Sequence, residues 1–407
     1  MKPLIHLSQL KCHFIKVATY QKGISLVEIM VAMVIDILLL ILITAYIIQQ
    51  SNMRSELEKT TMQMENGRYA MFVLQQDLNH AGYYGPWEPP IVNMSGFSDP
   101  CVTNPETPDI STDPYNANIS LVFPVSGYNN PSSTPSCLPD HKTGTDILVV
   151  RRVDTAGSIT SPTVNDIYLQ STSTSEASPF DRNMGIQNAD LQNGNPTGFA
   201  LGSLNSDNSV NVVGTQADGS TPLILKKANV MNPSPLITTP RLAADIFKYH
   251  VHIYFISPCS MATGGTGLNK VCQTTDDNGS PIPTLKRMEL TSVAGTRQFR
   301  EVPLVEGIEN LQIDYGVDTD LDGSPDGSFT VAPSATDWTN IVVVKLNILS
   351  RNVEKTSVCP TLNPPAYCTI VFNLGLHGNV GPFTDGYKRH VYTESVLLVN
   401  PVKRRQQ

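Results

Sequence analysis

The sequence predicts an α+β protein in which one long N-terminal helix is followed by a β-rich globular head with long loops. An unbroken apolar run fills residues 24–48, and a helical pattern continues from residue 51 to about residue 80. The remainder is rich in Gly, Pro, Ser, Thr and Asn and carries short Val-, Ile- and Tyr-rich runs. Because 40% of the 407 residues are hydrophobic and only 16% are charged, most of the chain is expected to fold.

The charge balance argues against a nucleic-acid partner. The chain has a formal net charge of −8, and its first 23 residues contain four lysines and no acid, which leaves 24 basic against 36 acidic residues, or −12, in the rest. A surface this acidic does not attract phosphate groups. We therefore interpret five late basic residues as a solvated strand and tail: Lys388, Arg389, Lys403, Arg404 and Arg405.

The apolar run predicts a membrane anchor. Ile24 to Ile48 is 25 residues, or about 37 Å of helix, which spans a bilayer with some tilt. The run is too long for the core of a secretory signal, and the lysines before it place residues 1–23 in the cytoplasm. We expect a cytoplasmic leader at 1–23, an N-terminal helix at 24–82 with its transmembrane part at 24–48, and an exported head at 83–407.

Two acids interrupt this run, at Glu28 and Asp36. A carboxylate at the centre of a membrane helix costs about 2.5–3.5 kcal/mol, so such a residue usually faces a partner. If the chain is cut after Gly23, Ile24 becomes the terminal amine and Glu28 the fifth residue. The amine of one helix then neutralises Glu28 of its neighbour, and we hypothesise that Asp36 meets a cation on another partner subunit.

The segment at the start of the run resembles the class III signal of type IV pilins and type II secretion pseudopilins. It reads Lys22, Gly23, Ile24, Ser25, Leu26, Val27 and Glu28. The resemblance implies that a prepilin peptidase cuts after Gly23 and N-methylates Ile24, and that Glu28 aids docking into the filament. Ile24 departs from the usual Phe or Met, and Asp36 stands where relatives carry a small residue.

Four further segments resemble the minor pilin W (PilW) family. They are residues 65–70, 77–85, 305–318 and 389–392, and the resemblance is weakest between about 86 and 240. It implies a type IV pilin-like fold and a minor pilin that acts in pilus assembly or initiation, in a tip or priming complex. The implied partners are other minor pilins, the major pilin and a tip adhesin. The helix would lie in the inner membrane and the head in the periplasm until the subunit enters the pilus.

Periodicity indicates how the second half of the helix packs. Apolar or small residues recur at steps of four and three, at Met53, Leu57, Thr60, Met64, Gly67, Met71, Leu74 and Leu78. This stripe predicts packing on a sheet, with a close approach at Gly67, since glycine costs about 1 kcal/mol in a helix interior. Strands are predicted near 145–152, 247–256, 285–290, 341–349 and 390–399, with a loop-rich insertion at about 155–240.

Six of the seven cysteines follow the apolar run, and an even number on the exported side favours disulfides. Six cysteines allow 15 pairings. We favour pairing between sequence neighbours, because short loops close most readily. That pattern joins Cys101 to Cys137, Cys259 to Cys272 and Cys359 to Cys368; six buried free thiols are the less favoured alternative.

An acidic loop at residues 318–326 has part of a calcium-binding pattern. Acids and a serine stand at positions that can supply oxygen ligands, with Gly323 at the sharp turn. These residues are Asp318, Asp320, Asp322, Ser324 and Asp326. Because Phe329 replaces the final bidentate glutamate, calcium and a plain Asp/Gly turn between strands remain equally favoured.

No catalytic pattern is visible, so we predict that the chain is not an enzyme. The sequence lacks a GxSxG elbow, an HExxH helix, a P-loop and a dinucleotide fingerprint. His250 and His252 alternate along a predicted strand without a third ligand nearby, and we interpret them as a surface pair. Two alternatives remain open: a minor pseudopilin of a type II secretion system and, less favoured, a membrane-anchored periplasmic binding module or enzyme.

Overall fold

A computed structural model describes most of the helix and the sheets of this protein. The described residues are 23, 25–85, 99–103, 123–157, 159, 166–171, 199–204, 210–213, 245–267, 269–293, 296–356, 359–360 and 363–405. Ile24 and most of the predicted insertion at 155–240 lie outside them. The chain divides into two compact units, residues 1–57 and 58–407, and each is described by itself.

Helix α1 runs from Leu26 to His80. Neither Gly nor Pro occurs between Leu26 and Asn66, so nothing interrupts the backbone hydrogen bonds there. The helix ends where Gly82 adopts a φ of +72°, a left-handed conformation that favours glycine and closes helices. The Gly82 N–H leaves the helix and donates to the carbonyl of Arg151 at 2.9 Å, which ties the helix end to the head.

Thirteen strands and two short helices follow α1 in the described part of the chain. The strands are β1 Val125–Tyr128, β2 Ile147–Val153, β3 Ile167–Ser171, β4 Phe199–Leu204, β5 Val210–Val213, β6 Asp245–Ser257, β7 Thr284–Val293, β8 Thr296–Glu306, β9 Ile308–Val317, β10 Ile341–Arg351, β11 Phe372–Asn373, β12 Asn379–Val380 and β13 Arg389–Leu397. The helices are α2 Asp276–Gly279 and α3 Val399–Lys403, with 3₁₀ turns at Asp337–Asn340, Ala366–Cys368 and Gly375–His377.

The strands form two antiparallel sheets and a small hairpin. The larger sheet has eight strands centred on β6, which pairs with β2, β3 and β7, while β8 pairs with β7 at one edge. The second sheet has the order β13-β10-β9, and β11 pairs with β12. This architecture confirms the predicted α+β class with a β-rich C-terminal region.

Both faces of the central strands β2 and β6 are buried, which explains the nearly continuous apolar runs of these two strands. On β6, Tyr254 and Ile256 join a core with the second half of α1 and with the three-stranded sheet, whereas Ile253 and Phe255 join a second core on the opposite face. This division follows from the two-residue alternation of side chains along a strand.

Three disulfides join sequence neighbours, as the sequence favours. They link Cys101 to Cys137, Cys259 to Cys272 and Cys359 to Cys368, with Cα–Cα distances of 5.5, 5.8 and 6.0 Å. The first contributes Cys137 to the second core, so it fixes the loop before β2 on the sheet.

Candidate functional site

The segment with the predicted cleavage signal lies at the start of the first unit. Gly23 and Ser25 are exposed, and α1 begins at Leu26 with Glu28 in its first turn. A carboxylate in this position interacts favourably with the positive end of the helix dipole. Ile24, the predicted methylation site, lies outside the described residues, so its part in the signal stays a prediction.

The apolar half of α1 has the length and composition of a membrane span. It is the one such helix among the described residues. Every large hydrophobic side chain from Leu26 to Ile48 is at least 46% exposed. Glu28 and Asp36 are exposed on the same segment. The predicted pairing of Glu28 with a neighbour's amine, and of Asp36 with a partner's cation, both remain predictions.

The second half of α1 packs on the three-stranded sheet through a close contact at Gly67. A Cβ atom built on Gly67 would lie 2.1 Å from Cε2 of Tyr392, so only glycine fits beneath this ring. One turn earlier, Gln63 Nε2 donates to the carbonyls of Ser350 and Lys388, both at 3.1 Å. The predicted stripe is correct from Gly67 onward and wrong at Met53, Leu57 and Met64, which are 60%, 66% and 40% exposed. Gln63 is buried in place of Met64.

Asp77 is the polar anchor of this helix on the large sheet. Its Oδ1 accepts from Arg152 Nε at 2.6 Å, and its Oδ2 accepts from His252 Nδ1 at 2.7 Å and from the Tyr254 hydroxyl at 2.9 Å. Burial alone would raise the pKa of Asp77, but His252 and Arg152 outweigh burial and hold the pKa well below its usual value. The carboxylate therefore stays charged inside the interface.

The prediction that His250 and His252 form a surface pair is wrong for His252. This ring is only 5% exposed, and its Nδ1 is engaged by Asp77. The sequence could not indicate this contact, because the two residues lie 175 positions apart. Burial, together with the neighbouring His252 and Arg152, lowers the pKa of His250 to about 4, so His250 is neutral at physiological pH.

The interpretation of the late basic residues as a solvated strand and tail is also wrong at two positions. Arg389 is 8% exposed and forms ion pairs with Glu309 and Asp385. The Arg405 side chain is 1% exposed, and its Nε lies 2.9 Å from Asp318 Oδ2. Neither arginine is available to a nucleic acid, because each is occupied within the head.

The acidic loop brings three of the predicted calcium ligands together. Carboxylate oxygens of Asp318, Asp320 and Asp326 lie within 4.8 Å of one another. Asp322 is not part of this group; its Oδ1 accepts the N–H of Ser324 at 2.7 Å. Since Arg405 already neutralises the buried Asp318, an ion must compete with this guanidinium for the same oxygen. Calcium binding stays a prediction.

A second buried carboxylate, Asp146, lies beside the outer edge of β9 without a cation partner in the described residues. Its Oδ1 accepts the N–H of Asn130 at 3.0 Å, and its Oδ2 accepts the N–H of Ile313 at 2.8 Å. Burial outweighs these hydrogen bonds and, with the nearby charge of Asp314, raises the pKa of Asp146 to about 7. Sequence reasoning missed this residue because its partners come from distant segments.

Comparison with known families gives one match. Residues 272–400 match the family model described as Type IV Pilus-assembly protein W (PilW), which covers less than half of the 407-residue chain. The matched segment contains all strands from β7 to β13, so it includes the sheet on which the second half of α1 packs. The predicted resemblance to this family is thereby confirmed. No curated protein matches the chain.

Proposed function

We propose that the protein is a minor pilin of the PilW family that acts in a tip or priming complex, because residues 272–400 match the model of that family of type IV pilus-assembly proteins. The observation that carries the proposal is the combination, in one chain, of this match with an N-terminal helix long and apolar enough to cross a membrane. The family match favours a pilus over the pseudopilus of a type II secretion system. A separate enzymatic activity has no support in the residues described above.

The apolar half of α1 fits a mechanism in which the helix is extracted from the membrane during pilus assembly. We propose that prepilin peptidase cuts after Gly23 and methylates Ile24, and that the apolar half of α1 then moves from the inner membrane into the filament. Its large side chains are exposed between Leu26 and Ile48, which leaves them free for lipid or for neighbouring helices. Other minor pilins, the major pilin and a tip adhesin are the proposed neighbours.

Glu28 supplies the electrostatic part of this proposal. A carboxylate within an apolar span costs about 2.5–3.5 kcal/mol unless it meets an opposite charge. The terminal amine of Ile24 in a neighbouring processed subunit provides that charge. Pairing is then available only after cleavage, so processing controls entry into the filament.

The head has the features of an exported domain. Its three disulfides fit an oxidising compartment, and the lysines before the anchor favour export of the C-terminus into the periplasm. We propose that the head selects partner subunits while α1 is still in the membrane.

Mass spectrometry of the protein purified from its own cells tests the processing step. We expect the mature chain to begin at Ile24 and to carry one N-methyl group. A Gly23→Ala variant should keep its leader and serves as the control. A wild-type chain that still begins at Met1 would contradict the proposal.

A second test asks whether Glu28 acts after processing. The Glu28→Ala variant should be cleaved normally but should be strongly depleted from sheared pili on immunoblots. Thr44→Ala, at an exposed position of the same apolar segment, is the matched control and should enter pili like wild type, whereas Asp36→Ala separately tests the hypothesis for Asp36. Equal incorporation of Glu28→Ala and wild type would refute the pairing mechanism.

A further inference from the structure

The two edges of the three-stranded sheet differ in how their backbone groups are satisfied. In an antiparallel pair, alternate residues turn their N–H and C=O groups toward the partner strand and the others turn them away. On β9 the odd-numbered residues from Leu311 to Val317 face away from β10. Two hydrogen bonds lie just beyond the ends of β13, from Leu398 N to Val342 O and from Asn352 N to Lys388 O. They show that the even-numbered residues of β13 turn their backbone groups toward β10, so the odd-numbered ones face away.

The outer edge of β9 is covered along its length. Each outward-facing residue there has a partner from another segment of the chain. The bonds are Asp146 N to Leu311 O at 2.9 Å, Ile313 N to Asp146 Oδ2 at 2.8 Å, Tyr315 N to Thr330 O at 2.8 Å, Thr330 N to Tyr315 O at 2.9 Å, and Asp326 N to Val317 O at 2.7 Å. This edge therefore cannot accept another strand.

The outer edge of β13 is open. The outward-facing residues are Val391, Thr393, Ser395 and Leu397, and their backbone groups have no hydrogen-bond partner within the described ranges. Thr393, Ser395 and Leu397 are exposed, and Val391 is half-buried. Four consecutive outward positions, or about 20 Å of strand, are thus available to one extended segment.

The open edge also lacks the usual protection against strand addition. Edge strands are normally guarded by proline, charge or a bulge. Strand β8, at the edge of the large sheet, has Pro303, an irregular register opposite Leu285 and Lys286, and the charged residues Arg297, Arg300 and Glu301. Between Val391 and Leu397, β13 has no proline, a regular register with β10, and Glu394 as its one charge.

We propose that the open edge of β13 binds an extended segment of a different protein chain, which adds a fourth strand to this sheet. Backbone hydrogen bonds at the four outward positions would supply the affinity, and side-chain contacts the specificity. The inference goes beyond the proposed function, because the edge would accept such a segment in a pilus, in a pseudopilus or in a complex of another kind.

Electrostatic repulsion argues against a second copy of this chain as the strand added at the β13 edge. If two β13 edges pair antiparallel over their full length, Val391 lies opposite Leu397 and Glu394 lies opposite its own copy. Like charges directly opposite each other destabilise a strand pair. A segment with Lys or Arg opposite Glu394 turns this repulsion into attraction, and an apolar residue opposite Leu397 covers a side chain that is 47% exposed. We therefore expect a partner segment with one central basic residue flanked by apolar ones.

Photo-crosslinking in the native cell tests this proposal on the full chain. A photoreactive amino acid at Thr393 should crosslink to one short segment of another protein, identified by mass spectrometry, and its basic residue should lie opposite Glu394. The same amino acid at Gln298 on the protected β8 edge is the control and should give no such product. Crosslinks from Thr393 to β13 of a second copy, or to no discrete segment, would overturn the proposal.

A backbone variant separates strand addition from side-chain docking. Ser395→Pro removes an outward N–H without touching the bonds to β10, whereas Ser395→Ala keeps it. We expect the crosslink yield from Thr393 to fall about tenfold or more in the proline variant and to stay unchanged in the alanine variant. Thermal unfolding of both variants verifies that the head is folded; if the proline variant is unfolded, hydrogen exchange of wild type decides instead.

Hydrogen exchange provides that second measurement. In the full-length protein in detergent micelles, the outward amides of Thr393 and Ser395 should exchange quickly and the inward amide of Glu394 slowly. In the crosslinked complex the outward amides should slow by about tenfold or more. Unchanged exchange in the complex would refute strand addition. Since these readouts do not depend on the N-terminus, an uncleaved leader would refute the proposed function and leave this result standing.

Discussion

Asp77 and Asp146 are both buried carboxylates, 5% and 2% exposed, yet their surroundings oppose each other. Asp77 accepts hydrogen bonds from the Arg152 guanidinium and the His252 ring, and its pKa falls well below the usual value despite burial. Asp146 accepts only backbone N–H groups, and burial raises its pKa to about 7. In this protein a nearby cation, rather than depth below the surface, decides whether a buried acid is charged.

The two acids therefore affect stability in different pH ranges. The pKa of Asp77 is depressed in the folded state. Its contribution to the free energy of unfolding is therefore complete above the unfolded pKa of 3.8 and is lost as the pH falls below that value. The pKa of Asp146 is raised, so its contribution is complete below 3.8 and is lost as the pH rises toward 7.

The largest expected effect on stability comes from removing the Asp77 carboxylate. Asp77→Ala leaves the Arg152 guanidinium without its counter-charge and leaves the His252 ring and the Tyr254 hydroxyl without their acceptor, so it should lower the free energy of unfolding by about 3–5 kcal/mol. Denaturant unfolding of the full-length protein in micelles measures the loss. Asp77→Asn keeps the shape and some hydrogen bonds, so it should be the milder change. Equal stability of Asp77→Ala and wild type would show that the ion pairs contribute nothing.

The next effect concerns the pH dependence caused by Asp146. Between pH 4 and 7, wild type should lose up to about 4 kcal/mol of stability relative to Asp146→Asn, whose amide does not titrate. The readout is the difference in slope between the two proteins, because the lowered pKa of His250 acts in the opposite direction in both. Parallel pH profiles would contradict the raised pKa of Asp146.

A smaller effect tests the steric part of the same interface. Gly67→Ala should destabilise the protein by about 1–3 kcal/mol through contact with Tyr392, although alanine is the better helix former. The double variant Gly67→Ala with Tyr392→Leu gives the Cβ room and should recover part of this loss. If Gly67→Ala is stabilising, the close approach of α1 to β13 is not required.

The smallest effect concerns a third buried acid, Asp318, whose cation is Arg405. We predict that Arg405→Gln strengthens calcium binding by about tenfold, since the ion no longer competes with a guanidinium. Calorimetry with CaCl₂ on the full-length protein measures this, and Asp320→Ala plus Asp322→Ala is the control that should bind no calcium. No binding heat in either wild type or Arg405→Gln would end the calcium prediction.

The sequence predicts elements with strong local patterns and misses those fixed by distant contacts. Strand β6 is predicted because Tyr, Val, Ile and Phe follow one another there. Strand β8 is not predicted, because charged residues and Pro303 interrupt its apolar pattern. The predicted helix ends near the observed His80, where glycine follows. Asp77, Asp146 and Arg405 were not predicted as buried partners, since each meets residues between 16 and 175 positions away and no local pattern marks them.

The contact between Gly67 and Tyr392 has a consequence for the order of events during biogenesis. In the proposed export of the head, the face of α1 near Gly67 crosses the membrane long before the strand that covers it, because 328 residues separate Met64 from its hydrogen-bond partner Tyr392. Before β13 is in place, the core side chains of α1 are only partly buried and can bind other exposed apolar surfaces. These side chains are Ala70, Leu74 and Leu78. In the proposed mechanism the apolar half of α1 stays in the lipid bilayer during this interval, which would keep nascent heads apart on the membrane and protect the unfinished domain from aggregation.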